Sequence, residues 1–384
     1  MITTKTTAGD QWSPLRFSGD FMKPIGLYIH IPFCNGKCPY CDFYSVTPKS
    51  ETVRKYVDTV CKEIDKADGI YDTVYFGGGT PSLIGSDNIA KIMSHINRTS
   101  DCEATLECNP SDTGAVNSEF DFSVVAKSGI NRISMGLQSA DDTERKLLGR
   151  RGGCDDVERA IARAKNAGIE NISLDLMLGI PNQTEESLKK SIEFCKNSGA
   201  KHVSAYILKI EESTPFHKIK DTLNLPDEDA ACDLYLFAAK ELEKAGFNQY
   251  EISNFSQPGY ESRHNLKYWR CEEYLGIGAS AHSFVGGKRF YYERSIDGFI
   301  SGNPPVDDGF GGDEEEYIML ALRLSEGLIF ENFEKRFDKA FSSEIIEKAK
   351  ELENHKLVKV TDKNISLTVD GFLVSNSVIA SLLS

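Results

Sequence analysis

From residue 26 onward, short runs rich in β-branched and aromatic residues alternate with longer stretches whose apolar positions recur every three or four residues. Strands are predicted over 26–32, 73–77, 103–108, 132–138, 171–178 and 202–209. The stretches between them are helical. In "ETVRKYVDTVCKEIDKA", Val53, Val57, Val60, Cys61 and Ile64 fall on one face, and "CDDVERAIARAKNAG" runs to Gly168, a residue suited to closing a helix. Six βα units in succession predict an α/β fold with a parallel sheet.

The strands also alternate in polarity. Tyr28 and His30, Thr105, Glu107 and Asn109, Ser134, Gly136 and Gln138, Ser173 and Asp175, and Ser204 and Tyr206 lie on one face. Ile29, Leu106, Ile133, Leu137, Leu174 and Leu176 lie on the other. A closed eight-stranded barrel fills its interior with branched apolar side chains, so a polar inner face predicts a partial (β/α)6 barrel opened for a ligand.

The pattern changes in "SGNPPVDDGFGGD", residues 301–313, where Gly, Pro and Asp cluster. We expect a boundary near 305. Residues 22–304 form the core and its β-rich extension, and 305–384 form an α+β winged-helix-like domain of helices and a hairpin near 357–368. Residues 1–21 have neither a basic start nor an apolar run and read as a flexible tail.

Composition narrows the function. A formal net charge of −14 and the acidic entrance "DDGFGGDEEE" to the C-terminal unit argue against nucleic acid as a partner. No stretch reaches the roughly 18 apolar residues of a membrane span. The ten cysteines occur in a long chain without a secretion signal, which points to free thiols in a reducing cytoplasm.

Three of those thiols stand out. Cys34, Cys38 and Cys41 in "YIHIPFCNGKCPYCDFYS" follow the first strand, and this spacing lets three soft ligands converge on one centre. A zinc site would need a fourth ligand. Cys61 belongs to an apolar helix stripe, and His30 stays open as a candidate, so a zinc loop or three incidental thiols remain the alternatives. The glycines of "YFGGGTPS" either make a tight turn or let the backbone approach a ligand closely. Glu107 and Asp175 end strands on the polar face. Two buried carboxylates facing one lumen suit the hydroxyls of a ribose, or are satisfied by a neighbouring Arg or Ser.

A C-x3-C-x2-C loop after the first strand of a βα series resembles the radical S-adenosylmethionine (SAM) superfamily. The resemblance implies that Cys34, Cys38 and Cys41 hold a 4Fe-4S cluster whose open iron chelates SAM. In that superfamily an electron from the reduced cluster cleaves the sulfonium and yields a 5′-deoxyadenosyl radical. Gly78, Gly79 and Thr80 would then meet the methionine amino group. Glu107, Gln138, Arg150 and Asp175 would supply the remaining polar contacts, and Tyr28 and Tyr40 the aromatic ones.

From residue 26 to the C-terminus, "LECNP", "RISMGLQS", "DLMLGIP" and "HNLKYW" are similar to the coproporphyrinogen oxidase-like group, and within it to the heme chaperone branch. True oxidases of the group carry C-x3-C-x2-C-x-C, whereas Phe43 holds the last position here. They also have a tyrosine-containing N-terminal segment without a counterpart in 1–21. The implied task is to bind heme and pass it to an acceptor hemoprotein, with a flavodoxin or ferredoxin as reductant and with membranes reached only through the acceptor. The alternative is radical chemistry on a tetrapyrrole, such as decarboxylation of coproporphyrinogen III.

In "RHNLKYWR", His264 would ligate heme iron, Tyr268 and Trp269 would face the macrocycle, and Arg263, Lys267 or Arg270 would meet propionates. The other reading has His264 and Asn265 fixing a turn with Trp269 in the core. His282 in "GASAHS" is a further ligand candidate, and the "LGIGAS" glycines read as close packing.

Overall fold

A computed structural model describes residues 23–110, 114–115 and 118–384. The expected tail at 1–21 lies outside the described residues. Six strands run in chain order across the sheet: β1 Ile25–Ile31, β2 Tyr71–Gly78, β3 Arg98–Cys108, β4 Arg132–Gln138, β5 Asn171–Leu178 and β6 His202–Ile207. Each neighbouring pair is parallel. The amphipathic helices between them pack on the outer face. Helix α1, Ser50–Ala67, buries Val53, Val57, Val60, Cys61 and Ile64, which makes Cys61 a core residue.

The outer face carries Leu27, Ile29 and Ile31, then Val74 and Phe76, Ala104 and Leu106, Ile133 and Leu137, and Leu174 and Leu176, all buried. Burying each of the larger side chains contributes about 2 kcal/mol. The helices therefore shield the sheet on one side only, and the alternate residues are left to face a lumen.

The flanks of the sheet come from later in the chain. Strands β7 Asn248–Gln249 and β8 Asn254–Ser256 add antiparallel beyond β6. On the other side β9 Tyr274–Ile277 lies parallel to β1, followed by antiparallel β10 His282–Val285, β11 Lys288–Tyr291 and β12 Val306–Phe310. The order is β12-β11-β10-β9-β1-β2-β3-β4-β5-β6-β8-β7, twelve strands among the described residues, open at both ends. The main sheet thus continues past residue 305 to Phe310.

The C-terminal unit begins with helix Glu314–Ala321 and continues with helices Phe330–Phe337 and Ser343–Glu353. A three-stranded antiparallel sheet of Leu328–Ile329, Asn364–Leu367 and Val358–Val360 completes the winged-helix-like order. Phe330, Phe333 and Phe341 stack at its centre. The unit is tied to the core where Ile252 N donates to Arg323 O at 3.0 Å and Ser325 N donates to Tyr250 O at 2.9 Å. Among the described residues no helix is long and apolar enough to cross a membrane.

Candidate functional site

The cysteine loop leaves the end of β1 and is tied at its base. Val46 N donates to Pro32 O at 2.9 Å and Cys34 N to Val46 O at 3.0 Å, so residues 34–45 form a closed loop over the strand ends. The glycines after β2 strap it down: Gly79 N donates to Ile31 O and Thr80 N to Phe33 O, at 2.9 and 2.7 Å. A Cβ on Gly79 would lie 2.5 Å from Phe33 O, and one on Gly78, at φ +117°, would lie 2.6 Å from the His30 ring. The triplet is required by how closely β2 passes β1 and the loop, whatever else it binds.

All three thiols are free and partly exposed, and they line one cavity of about 400 Å³. Thr80 Oγ1 donates to Cys34 Sγ at 3.8 Å, and the Arg150 guanidinium lies 4.0 Å from Cys38 Sγ. Tyr40, Gly78, Gly79, Thr80, Glu107, Gln138, Arg150 and Asp175 line the same cavity, so the structure brings together every sequence-predicted cofactor contact except Tyr28. Tyr28 instead shares a hydrogen bond of 3.0 Å between its hydroxyl and His30 Nδ1 and lines a second cavity.

The lumen is polar and short of partners. Glu107 accepts from Tyr75 Oη at 2.9 Å and Gly78 N at 3.2 Å. Burial, then the facing charge of Asp175, pushes its carboxyl up to about 7. Asp175 is pushed to about 6 by burial, although Ser134 Oγ donates to it at 3.3 Å. Arg150 donates to Gly136 O at 2.6 Å, but its Nε is buried without a partner. Gln138 sits at φ +69° and accepts from Tyr206 Oη at 3.1 Å. Three soft thiols that line one cavity with two buried carboxyls and an incompletely bonded guanidinium suit, by the chemistry of the donors, a cluster with a small, polar, hydroxyl-bearing ligand. Among the described residues, however, no three such side chains are grouped as ligands of a single metal ion.

Two lumen residues escaped the sequence reading. Tyr75, one step before Gly77 on the same face, holds Glu107, and Arg132 is buried at 2% exposure below it. Both follow from the alternation that exposes Gly77 and Ser134, because each lies two residues earlier on its strand.

The second cavity, about 680 Å³, adjoins the first. Tyr40, Cys41, Phe43 and Tyr206 line both. Its other walls are mostly aromatic and aliphatic, including Tyr28, Tyr268, Tyr274, Met177 and Leu208, with Lys209, His282 and Arg294 among them. Phe43 is 69% exposed.

Helix Arg263–Trp269, capped by Ser262, closes the lumen from below. Its first amides, Arg263 N and His264 N, donate to buried Glu103 Oε1 at 2.9 and 3.4 Å. His264 has no exposure, and both its ring nitrogens are engaged: Nδ1 with Thr73 Oγ1 at 2.8 Å and Nε2 with Tyr268 Oη at 2.9 Å. Burial holds its imidazole neutral, with a pKa lowered to about 3. The ring stacks near Tyr75, 5.4 Å between centroids. Trp269 hydrogen-bonds toward buried Glu251, and Lys267 pairs with Asp72 and Glu272. Of His264, Tyr268 and Trp269, only Tyr268 lines the large cavity. In this structure His264 is a hydrogen-bonded strut between β2 and the helix, because its strand and helix neighbours engage both nitrogens.

A cysteine loop at the end of β1, a glycine strap at the end of β2 and a polar lumen of six parallel strands define a radical SAM protein, and the Radical SAM superfamily model matches residues 28–195. This superfamily implies a 4Fe-4S cluster and SAM. The HemN C-terminal domain model matches residues 314–374. "Heme chaperone HemW" of Lactococcus lactis subsp. lactis is 34% identical over 374 residues, covering 94% of this chain and 98% of that one. HemW of Bacillus subtilis is also 34% identical, over 93% and 98%. The chain belongs to the HemW family. Its fold is shared with the solved radical SAM enzyme HemN, coproporphyrinogen III oxidase of Escherichia coli, at a TM-score of 0.78 and 22% identity, over 94% of this chain and 90% of that one.

Proposed function

We propose that this protein is a cytoplasmic heme chaperone. It holds heme in the 680 Å³ cavity beside a cluster-and-SAM site and passes it to an acceptor hemoprotein. The observation that carries the reading is the shared wall: a large aromatic-lined cavity touches the cysteine-lined one through Tyr40, Cys41, Phe43 and Tyr206. Its volume falls within the roughly 300–1,000 Å³ of small-molecule sites, and its aromatic faces suit a flat macrocycle. Relatives of nearly full length carry the name heme chaperone, and this supports the same task.

Cys34, Cys38 and Cys41 would hold the cluster. Gly78, Gly79 and Thr80 would present backbone and hydroxyl to the amino group of SAM, Glu107 and Asp175 would accept from ribose hydroxyls, and Gln138 and Arg150 would complete the polar contacts. When bound, the cluster and SAM supply one-electron chemistry through a reductant such as a flavodoxin or ferredoxin. Tyr40 and Phe43 separate that chemistry from the larger cavity. Of the HNLKYW helix, Tyr268 would touch the macrocycle, while His264 orients Tyr268 from behind through Nε2.

Anaerobic titration of the cluster-reconstituted protein with hemin tests the reading. Saturable one-to-one binding, transfer to an apo-hemoprotein and no consumption of coproporphyrinogen III are expected. Stoichiometric decarboxylation of coproporphyrinogen III with release of 5′-deoxyadenosine would establish the oxidase alternative instead.

A further inference from the structure

The large cavity has two histidines on its walls, His30 and His282, with His264 behind Tyr268. A heme ligand must offer a neutral imidazole nitrogen with a free lone pair. His30 does not: Nδ1 meets Tyr28 Oη at 3.0 Å and Nε2 lies 3.4 Å from Tyr44 O. His264 does not either, since Thr73 and Tyr268 take both nitrogens. His282 differs. Its side chain is exposed at the cavity, and among the described residues neither ring nitrogen makes a hydrogen bond.

The backbone around His282 is built closely. A Cβ on Gly276 would lie 2.1 Å from His282 O, and one on Gly278, at φ +118°, would lie 2.5 Å from Tyr56 Oη and 2.6 Å from His30 O. The loop Gly276–Ala281 is thereby pressed against β1, and Ala279 N donates to Tyr56 Oη at 2.9 Å. This fixes where β10 starts and sets His282 at the cavity. The ring stacks on Tyr291, its cross-strand partner, with centroids 5.1 Å apart and planes 25° apart. The stack holds one face of the ring against Tyr291 and leaves both nitrogens toward the cavity without a hydrogen bond.

Two cations share the cavity. Arg294 donates to Asp42 O at 3.0 Å, which leaves further guanidinium N–H groups for an anion. Lys209 is exposed and pairs at 2.7 Å with Glu211, which lines the same cavity. The cavity also carries the carboxylates of Asp42 and Glu211, and Glu211 already pairs with Lys209. The unbonded imidazole and the Arg294 guanidinium are therefore the groups left to meet a metalloporphyrin's iron and one of its carboxylates.

We infer that His282 is an axial ligand of a heme iron bound in the large cavity, with Arg294 receiving a propionate. The assignment rests on the heme reading above and deepens it. Ligation breaks one iron–water bond and forms one nitrogen–iron bond.

Hemin titration of the cluster-reconstituted wild-type protein, His282→Ala and Arg294→Gln tests it, with the cluster absorption of each variant as the check on folding. His282→Ala should shift the Soret band and weaken hemin binding by roughly tenfold or more, and added free imidazole should restore the wild-type spectrum. Arg294→Gln should weaken binding without moving the Soret band. Wild-type affinity and spectrum in His282→Ala would overturn the ligand assignment alone. Absence of saturable hemin binding by the wild-type protein would overturn the heme reading itself.

Discussion

Glu107 and Asp175 make the lumen costly to fold without a ligand. Their folded-state pKa values, about 7 and about 6, lie above those of the unfolded chain, so between these limits the folded protein binds more protons than the unfolded one. The stabilising contribution is complete at acid pH, below the unfolded values, and is lost as the pH rises through about 6 to 7. The ligand-free protein should therefore lose thermal stability between pH 5 and pH 8. Glu107→Gln should flatten that slope and raise the Tm at pH 8 by a few degrees, about 1 kcal/mol, in calorimetry. The same variant should weaken SAM at least roughly tenfold in equilibrium dialysis, because a ribose hydroxyl loses its ionised acceptor. A pH slope identical to wild type would show that Glu107 ionises normally.

At the scale of elements, strands and the cysteine loop were legible because their signals are local. Period-two alternation places Glu107, Ser134 and Asp175 on one face within a single strand each, and β4 and β5 match their expected bounds residue for residue. The thiol spacing needs only eight positions. The flanking sheet was less legible: β9 lies beside β1, about 250 residues earlier, and nothing local in "YLGI" names that partner. Helix Arg263–Trp269 shows the same limit from the other side. His264, Tyr268 and Trp269 look like a ligand set in sequence, yet burial is set by Glu103 and Thr73 on distant strands. His264→Ala should cost about 2–4 kcal/mol in denaturant unfolding, since it empties a packed site and leaves Thr73 and Tyr268 without their partner. Wild-type stability in that variant would mean that the ring is free to leave the floor.

At the scale of the whole molecule, an open sheet of twelve strands gives the lumen one rim, and the loop that leaves β1 divides what lies at that rim into two chambers. The larger chamber was not legible in sequence. Its walls come from β1, β5, β6, β9, β10 and helix Arg263–Trp269 together with the cysteine loop, so it exists only once the late strands have closed on the early ones. Past the boundary expected near residue 305, β12 still belongs to this sheet.

The wall common to the two chambers, Tyr40, Cys41, Phe43 and Tyr206, touches both, so the occupants of the two chambers are expected to sense one another through it. Binding equilibria so joined are reciprocal: whatever factor SAM imposes on heme affinity, heme must impose on SAM affinity. Paired titrations, hemin with and without saturating SAM and SAM with and without hemin, should return one and the same factor, different from unity. A factor of one would make the wall a passive partition. Otherwise a single short peptide stretch makes the release of cargo and the state of the cluster site parts of one equilibrium.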